Sequence, residues 1–166
     1  MNIVFRPWKM GDIESLIKHA NNPNISKNMM NRFPNPYTSD DGKMFLEKVT
    51  SDNPYQVFAI VVDHEPVGAV GIFPQADIFS KNAELGYWLS ESLWGKGIVT
   101  NAIRWITEYG FKTWDIDRIF ARPFGTNLAS QRVLEKSGFT LEGKFNKTIY
   151  KNGEYHDELV YAIRKP

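Results

Sequence analysis

Apolar residues along the chain recur at two spacings, which predict two kinds of element. Runs of apolar and β-branched residues predict strands, at Met1–Phe5, Gln56–Val62, Val67–Phe73, Ala83–Ser90, Arg118–Arg122, Phe139–Lys147, Thr148–Tyr150 and Glu158–Ile163. Apolar residues three and four positions apart predict helices, at 13–20, Asp40–Thr50, 98–111 and Asn127–Ser137. The order of these elements predicts a mixed α/β fold, with helices on both faces of a mostly antiparallel sheet.

Small polar residues and glycines mark where the predicted elements begin and end. Asp12 stands in the N-cap position of the first helix, and Gly138 stands where the last helix should stop. The stretch 21–35 is rich in Asn and Pro and predicts a loop. Leu128 is expected to face inward from the last helix, and Asn152-Gly153 predicts a tight turn between the closing strands.

Length and composition limit the class of protein. A chain of 166 residues predicts one domain covering residues 1–166. A net charge of +1 gives no broad attraction for nucleic acid or a membrane surface, so neither partner is expected. The absence of cysteine excludes a disulfide framework and a cysteine nucleophile. No leader pattern and no apolar run of about 20 residues is present, which predicts a cytoplasmic protein.

The segment Trp94–Thr100 contains two glycines between a predicted strand and a predicted helix. A helix N-terminus leaves backbone N–H groups unpaired at the positive end of the helix dipole, where phosphates bind. A glycine has no Cβ, so a ligand can approach the backbone closely. The alternative is that the glycines serve only the turn itself. The spacing is not G-x-G-x-x-G, and no series of βαβ units supports a dinucleotide-binding fold.

Three blocks, at these spacings and in this order, carry a family resemblance. They are Ala83–Leu89, Trp94–Ala102 and Asn127–Phe139, the last of which reads N-x-x-S followed by E-K-x-G-F. Together they resemble the GNAT superfamily of acetyl-CoA-dependent N-acetyltransferases, and most closely its Rim-type branch of ribosomal-protein N-terminal acetyltransferases. The resemblance covers essentially the whole chain. It implies a GNAT fold whose central sheet is splayed at the cofactor site, with acetyl-CoA as the cosubstrate.

Three positions depart from the pattern of the family. The general pattern begins the loop with Gln or Arg and ends it with G-x-G/A, where this chain has Trp94 and Val99. The Rim-type branch accepts an aromatic residue at the first place but usually has Ala at the second, so Val99 is expected to narrow the floor of the loop. Many GNAT enzymes have a tyrosine before the E-K-x-G-F stretch, as the acid for the leaving thiol. Leu134 stands there in this chain.

The resemblance implies where acetyl-CoA would bind. The pyrophosphate is assigned to the backbone of the glycine loop and the first turn of the helix, at Gly95, Lys96, Gly97, Ile98, Val99 and Thr100. The backbone of Trp88, Leu89 and Ser90 is expected to pair with the amides of the pantetheine arm, as an extended ligand added to a strand. Asn127 is expected to bond the same arm through its side chain, and the alternative is a plain N-cap.

Two residues are candidates for proton transfer. Glu84 lies in an otherwise apolar strand, where it would act as the general base for the amine; the alternative is a strand-end glutamate that faces water. Ser130 resembles the serine that the Rim-type branch places beside the CoA sulfur, so it is the candidate acid; the alternative is a solvated serine. The histidines His19, His64 and His156 are scattered without ligand spacing, so no metal is expected.

The acetyl acceptor is open at this point. The resemblance implies an amine-bearing substrate, either a protein N-terminus or a small molecule such as a polyamine, an aminoglycoside or an amino acid. A CoA-binding module without turnover is a third reading. Met29, Met30, Phe33 and Tyr37 could line the acceptor pocket or pack beneath a loop. A homodimer is also open, because dimers are common in this branch.

Overall fold

The computed structural model describes residues 1–166, and its longer helices and strands follow one another in the order that the apolar spacing predicts. The strands are β1 Ile3–Pro7, β2 Val57–Val62, β3 Glu65–Pro74, β4 Asn82–Leu89, β5 Arg118–Ala121, β6 Thr140–Lys151 and β7 Glu154–Arg164. The helices are α1 Ile13–Ala20, α2 Pro23–Ser26, α3 Ser39–Ser51, α4 Ile98–Thr113 and α5 Leu128–Lys136. None of the helices combines the length and apolarity that a membrane crossing requires.

The strands form a mixed sheet in the order β1-β2-β3-β4-β5-β7-β6. The pairs β1–β2, β2–β3, β5–β7 and β6–β7 are antiparallel, whereas β4–β5 is parallel. The parallel pairing covers only Asn82–Glu84 against Arg118–Phe120, although β4 continues to Leu89. The prediction of a mixed α/β fold with a mostly antiparallel sheet is confirmed, and the short β4–β5 pairing matches the expected splay.

Contacts within the chain define two compact units. The first contains Met1–Gly71 and Tyr87–Ala102, and the second contains Ile72–Gly86 and Ile103–Pro166. The prediction that residues 1–166 form one domain stays a prediction.

In the first unit, α1 and α3 pack closely through small and apolar residues. A Cβ atom on Gly42 of α3 would stand 3.2 Å from the Ile17 side chain of α1, so glycine permits this approach. Leu16 and Leu46 are fully buried in the same unit. Burial of such side chains is the main source of stability for a helix pair of this length.

Asp12 occupies the predicted N-cap position of α1, but its side chain does not cap the helix. The carboxylate instead accepts hydrogen bonds from Arg6 Nη1 at 2.8 Å and Arg6 Nη2 at 2.9 Å, and from the backbone of Lys9 at 3.0 Å. Asp12 is buried, and its carboxylate holds the pKa of Arg6 above the ordinary value. A buried carboxylate gains more from two charged N–H donors than from a helix cap.

The predicted loop 21–35 contains the short helix α2. Asn22 is its N-cap, accepting a hydrogen bond from the backbone of Asn24 at 2.9 Å, and Pro23 is its first residue. Proline suits the first helical position because its missing N–H would have no partner there. The prediction of an uninterrupted loop was therefore wrong over these four residues.

In the second unit, α4 and α5 cover one face of β5 and β7. A Cβ atom on Gly110 of α4 would collide with Ile72 and contact Ile119, and Tyr161 donates a hydrogen bond to Glu135 of α5 at 3.0 Å. Ile119 and Tyr161 share a face, because Ala121, two residues after Ile119, is the register partner of Tyr161. Side chains from alternate positions of β5 therefore face away from both helices.

The ends of α5 and the last hairpin match the predictions in part. Gly138 has a φ of +90° and ends α5, and Asn152 and Gly153 both have positive φ in the turn between β6 and β7. Leu134 is fully buried, whereas Leu128 is 67% exposed, so the predicted inward placement of Leu128 was wrong. The two leucines are six positions apart, about 120° around the helix, and cannot share one buried face.

Candidate functional site

The two glycines of the loop both have a backbone conformation that favours glycine. Gly95 and Gly97 each have a φ of +77°, and α4 begins at Ile98 directly after them. A Cβ atom on either residue would meet nothing within 4 Å. The glycines therefore do not serve packing within the protein, and their backbone faces open space.

The first turn of α4 supplies backbone donors beside this loop. The first helical hydrogen bond runs from Asn101 N to Gly97 O at 3.2 Å, so the N–H groups of Ile98, Val99 and Thr100 have no partner within the helix. The helix dipole adds positive potential at the same place. Ile98 and Thr100 are buried, which fixes the turn to the protein. This donor set fits a phosphate or pyrophosphate.

Trp94, the departure at the start of the loop, ties the loop to the end of β4. Its indole Nε1 donates a hydrogen bond to the carbonyl oxygen of Leu89 at 2.8 Å. The backbone N–H of Ser90 donates to Val67 O at 2.8 Å. Two of the backbone groups predicted to pair with pantetheine are thus used within the protein. Contacts to the arm at Trp88, Leu89 and Ser90 would have to use the other backbone groups of this segment.

An aromatic cluster lies beneath the segment 31–37. The ring of Phe33 is 5.3 Å from that of Tyr37 and 5.7 Å from that of Trp88, measured between centroids. Trp88 and Tyr37 are buried, and burial raises the pKa of Tyr37 to about 12. Phe33 therefore packs against Trp88 of β4 and against Tyr37, which favours the packing role over a pocket lining.

Glu84 forms an ion pair with an arginine that sequence reasoning missed. Arg122 Nε lies 2.6 Å from Glu84 Oε2, and Arg122 Nη2 lies 3.1 Å from Glu84 Oε1. The hydrogen bond with Glu84 raises the pKa of Arg122 above its ordinary value. The side chain of Glu84 is 20% exposed, so it is neither fully solvated nor sealed. Arg122 also faces Glu158 at 3.8 Å.

The Glu84–Arg122 pair lies on the face opposite α4 and α5. Glu84 is the register partner of Phe120. Ile119 faces the helices, so the side chain of the adjacent residue Phe120 points to the opposite face of the sheet. Arg122, two residues after Phe120, points to the same side as Phe120 and Glu84. The signal for this contact is the parallel register of β4 and β5, which a single sequence does not reveal.

A pocket of about 330 Å³ opens on this face beside the ion pair. Its lining residues are Gln75, Phe79, Asn82, Arg118, Phe120, Arg122 and Val160. Arg118 donates to Glu142 at 2.7 Å and to Asn82 at 2.9 Å, and its guanidinium lies 4.9 Å from the centre of the Phe120 ring. Because both arginines already have carboxylate partners, the pocket offers no unpaired guanidinium to an anion.

Asn127 and Ser130 stand in the first turn of α5, in the second unit. Asn127 is the N-cap, and its Oδ1 accepts a hydrogen bond from the backbone N–H of Ser130 at 3.2 Å. The N-cap reading of Asn127 is therefore correct, and a bond to pantetheine would come from its amide nitrogen. Leu134, in the place of the usual tyrosine, is fully buried and has no access to a ligand.

The two roles of Asn127 can be separated by substitution. Asn127→Asp keeps an N-cap acceptor but removes the amide donor, whereas Asn127→Ala removes both. We expect Asn127→Ala to lower the free energy of unfolding by about 1 kcal/mol and Asn127→Asp to leave it near the wild-type value. Both variants should raise the KM for acetyl-CoA. Urea unfolding measures the change in stability, and steady-state kinetics measure the change in KM. An unchanged KM in Asn127→Asp would show that Asn127 serves only as an N-cap.

The predicted site residues are divided between the two units. The first unit holds Trp88, Leu89, Ser90 and the loop with the first turn of α4, residues 95–100; the second holds Glu84, Asn127 and Ser130. No group of three or more His, Cys, Asp or Glu side chains in the structure is arranged to hold a metal ion.

Comparison with known proteins places the chain in a family. The model of the acetyltransferase (GNAT) domain matches residues 2–140. The Probable N-acetyltransferase YjcK of Bacillus subtilis is 36% identical over 74% of this chain and 68% of that protein. The ribosomal-protein-serine acetyltransferase of Escherichia coli is 30% identical over 64% of this chain and 59% of that protein. The crystal structure of the microcin C7 self-immunity acetyltransferase MccE, in complex with acetyl-CoA and AMP, has a TM-score of 0.82 and 30% identity, covering 98% of this chain and 92% of that one.

The chain therefore belongs to the GNAT family and is an acetyltransferase. The prediction from the three sequence blocks is confirmed at this level. Structures of relatives contain CoA or acetyl-CoA, which supports the predicted CoA-binding class.

Proposed function

We propose that the protein transfers the acetyl group of acetyl-CoA to a primary amine of a protein N-terminus, by direct attack and without a covalent enzyme intermediate. The observation that carries this proposal is the glycine loop at the start of α4. Its two glycines have positive φ, and their backbone faces open space in a chain of the GNAT family. The pyrophosphate of the cosubstrate would take its hydrogen bonds from residues 95–100, with the Thr100 hydroxyl as a further donor.

The two faces of the sheet in the second unit support separate directions of approach for the amine and for acetyl-CoA. Glu84 lies on the face opposite α5, whereas Asn127 and Ser130 begin α5 itself. The amine would approach on the side of Glu84 and the pantetheine arm on the side of Asn127. The pairing of β4 with β5 ends at Glu84, although β4 continues to Leu89.

The proposed reaction moves two protons. Glu84 accepts one proton from the substrate ammonium, directly or through a water molecule, and the neutral amine attacks the thioester carbonyl. The C–N bond forms and the C–S bond breaks, and the attacking nitrogen loses its second proton, which is relayed through the hydroxyl of Ser130 to the leaving thiolate. Most of the rate enhancement would come from holding amine and thioester in line and from backbone donors at the carbonyl oxygen.

Two considerations support a protein N-terminus as the acceptor. One relative is named a ribosomal-protein-serine acetyltransferase, which supports a protein N-terminus. The pocket beside Glu84 has paired polar groups and the apolar surfaces of Phe79, Phe120 and Val160, which suit the side chain of an N-terminal residue. A small-molecule acceptor is the second candidate, favoured by MccE, whose structure contains the small nucleotide AMP.

An acceptor panel tests the proposal. Purified protein and acetyl-CoA are mixed with peptides that have free N-termini, with the same peptides blocked at the N-terminus, and with spermidine, an aminoglycoside and free amino acids. We expect thiol release and a singly acetylated product with the free peptides only. Release with small amines alone would support the second candidate. Binding of acetyl-CoA without release in any mixture would support a CoA-binding module without turnover.

A further inference from the structure

Three side chains that are distant in the sequence form a continuous hydrogen-bonded chain in the first unit. His19 of α1 places Nδ1 2.9 Å from the hydroxyl oxygen of Ser90 and Nε2 2.8 Å from Glu65 Oε1. Ser90 is 7% exposed, and the side chain of His19 is 12% exposed. Ser90 follows β4 directly, so the imidazole fixes the point where that strand ends.

Further contacts hold the same segment, Ser90–Leu93, which we name the loop base because it leads directly into the glycine loop. The carboxylate of Glu91 accepts hydrogen bonds from Asn24 at 2.9 and 3.0 Å and from Asn22 at 3.2 Å. Ser90 is also held by its backbone bond to Val67. Residues of α1, of β3 and from the start of α2 thus converge on the loop base.

The glycine loop needs such an anchor. Glycine populates positive and negative φ with similar ease, so the conformation of a glycine loop is weakly set by its own residues. Disorder in a binding loop is lost on ligand binding and weakens affinity. A loop base held by several hydrogen bonds fixes the first residue of the loop in the orientation that the ligand requires.

We propose that His19 is a positioning residue for acetyl-CoA: its hydrogen bond to Ser90 fixes the loop base and thereby the backbone donors of the glycine loop. This inference rests on the proposed function, since it concerns the same cosubstrate. His19 acts through Ser90 and is not assigned any contact with the ligand or with the reacting atoms.

Glu65 orients the imidazole for this role. Hydrogen bonds from Lys18 and His19 hold the pKa of the Glu65 carboxyl below its usual range, so Glu65 is charged at neutral pH. A carboxylate only accepts, so Nε2 of His19 carries a proton. In the neutral imidazole, Nδ1 then accepts the hydrogen bond of the Ser90 hydroxyl.

Two substitutions of His19 separate its two hydrogen bonds. Asparagine places a polar atom near the position of Nδ1 and keeps the contact with Ser90, whereas glutamine reaches the position of Nε2 and keeps only the contact with Glu65. We expect His19→Gln to raise the KM and Kd for acetyl-CoA about fivefold to tenfold, the size of one hydrogen bond, with kcat unchanged at saturating acetyl-CoA. His19→Asn should restore both constants to near the wild-type values.

Matched variants and controls complete the experiment. Ser90→Ala should raise the KM as much as His19→Gln, and the double variant should raise it no further, because both remove the hydrogen bond between His19 and Ser90. Lys18→Met removes the exposed contact with Glu65 and should change nothing. If His19→Gln does not fold, Ser90→Ala with its KM carries the test.

The outcomes are distinct from those that test the proposed function. An unchanged KM in folded His19→Gln and Ser90→Ala overturns the inference, and so does a fall in kcat at unchanged KM. Wild-type protein that does not bind acetyl-CoA at all would instead contradict the proposed function.

Discussion

Gly97→Val should weaken acetyl-CoA binding about tenfold to a hundredfold. The φ of Gly97 is +77°, a conformation that costs a side-chain-bearing residue about 1–3 kcal/mol and a β-branched residue most of all. The loop would relax away from this conformation, which turns its N–H groups away from the pyrophosphate. The new side chain would also occupy the open space above the backbone. Isothermal titration calorimetry with acetyl-CoA measures the change.

Gly153 provides a matched control for this substitution. It has a φ of +78°, and a Cβ atom there would also meet nothing within 4 Å, but it lies in the turn between β6 and β7. Gly153→Val should lower stability by an amount similar to Gly97→Val and leave the affinity for acetyl-CoA unchanged. An equal loss of affinity in both variants, or wild-type affinity in Gly97→Val, would contradict the proposal that the loop binds acetyl-CoA.

Ser130→Ala should lower kcat about a hundredfold, the usual effect of losing a positioned proton donor. The affinity for acetyl-CoA should change little, because the proposed contact of the hydroxyl is with the sulfur as the C–S bond breaks. The N-cap hydrogen bond from the Ser130 backbone to Asn127 is kept in the variant. Steady-state kinetics at saturating acceptor, together with a titration of acetyl-CoA, separate the two effects.

Ser137→Ala is the control for Ser130→Ala, since both serines lie at the ends of α5. The hydroxyl of Ser137 donates to Val133 O at 2.7 Å and has no assigned part in the reaction. The kcat of Ser137→Ala should equal that of the wild type. If Ser130→Ala loses affinity and kcat by the same factor, Ser130 binds the cosubstrate and is not the proton donor.

The elements of this fold were predictable because their apolar spacing is regular, as in β2, where every residue from Val57 to Val62 is buried. The errors arose where a local signal competed with a tertiary contact. Asp is a common N-cap residue, but the carboxylate of Asp12 accepts its hydrogen bonds from the guanidinium of Arg6. The Asn22–Pro23 pair is a good helix start, yet the helix it begins has only four residues and therefore no periodic pattern.

The candidate site was likewise predictable only in part. The glycine loop was predictable as a candidate site, because glycines between a strand and a helix permit positive φ and close approach of a ligand to the backbone. The partner of Glu84 was not, because Arg122 reaches it only through the register of β4 and β5. His19 and Ser90 are 71 positions apart, and no local pattern joins them. Contacts of this kind depend on the folded arrangement of the chain.

We expect acetyl-CoA to bind this chain and to donate its acetyl group to an amine. The most direct measurement is a calorimetric titration of the wild-type protein with acetyl-CoA, followed by addition of a free N-terminal peptide and mass spectrometry of the mixture. We predict saturable binding to one site, with a Kd between about 1 μM and 1 mM, followed by one acetyl group on the peptide and none on the protein. Absence of binding in that range, or acetylation of the protein with the peptide unmodified, would show that the chain does not transfer acetyl groups from acetyl-CoA to a peptide amine directly.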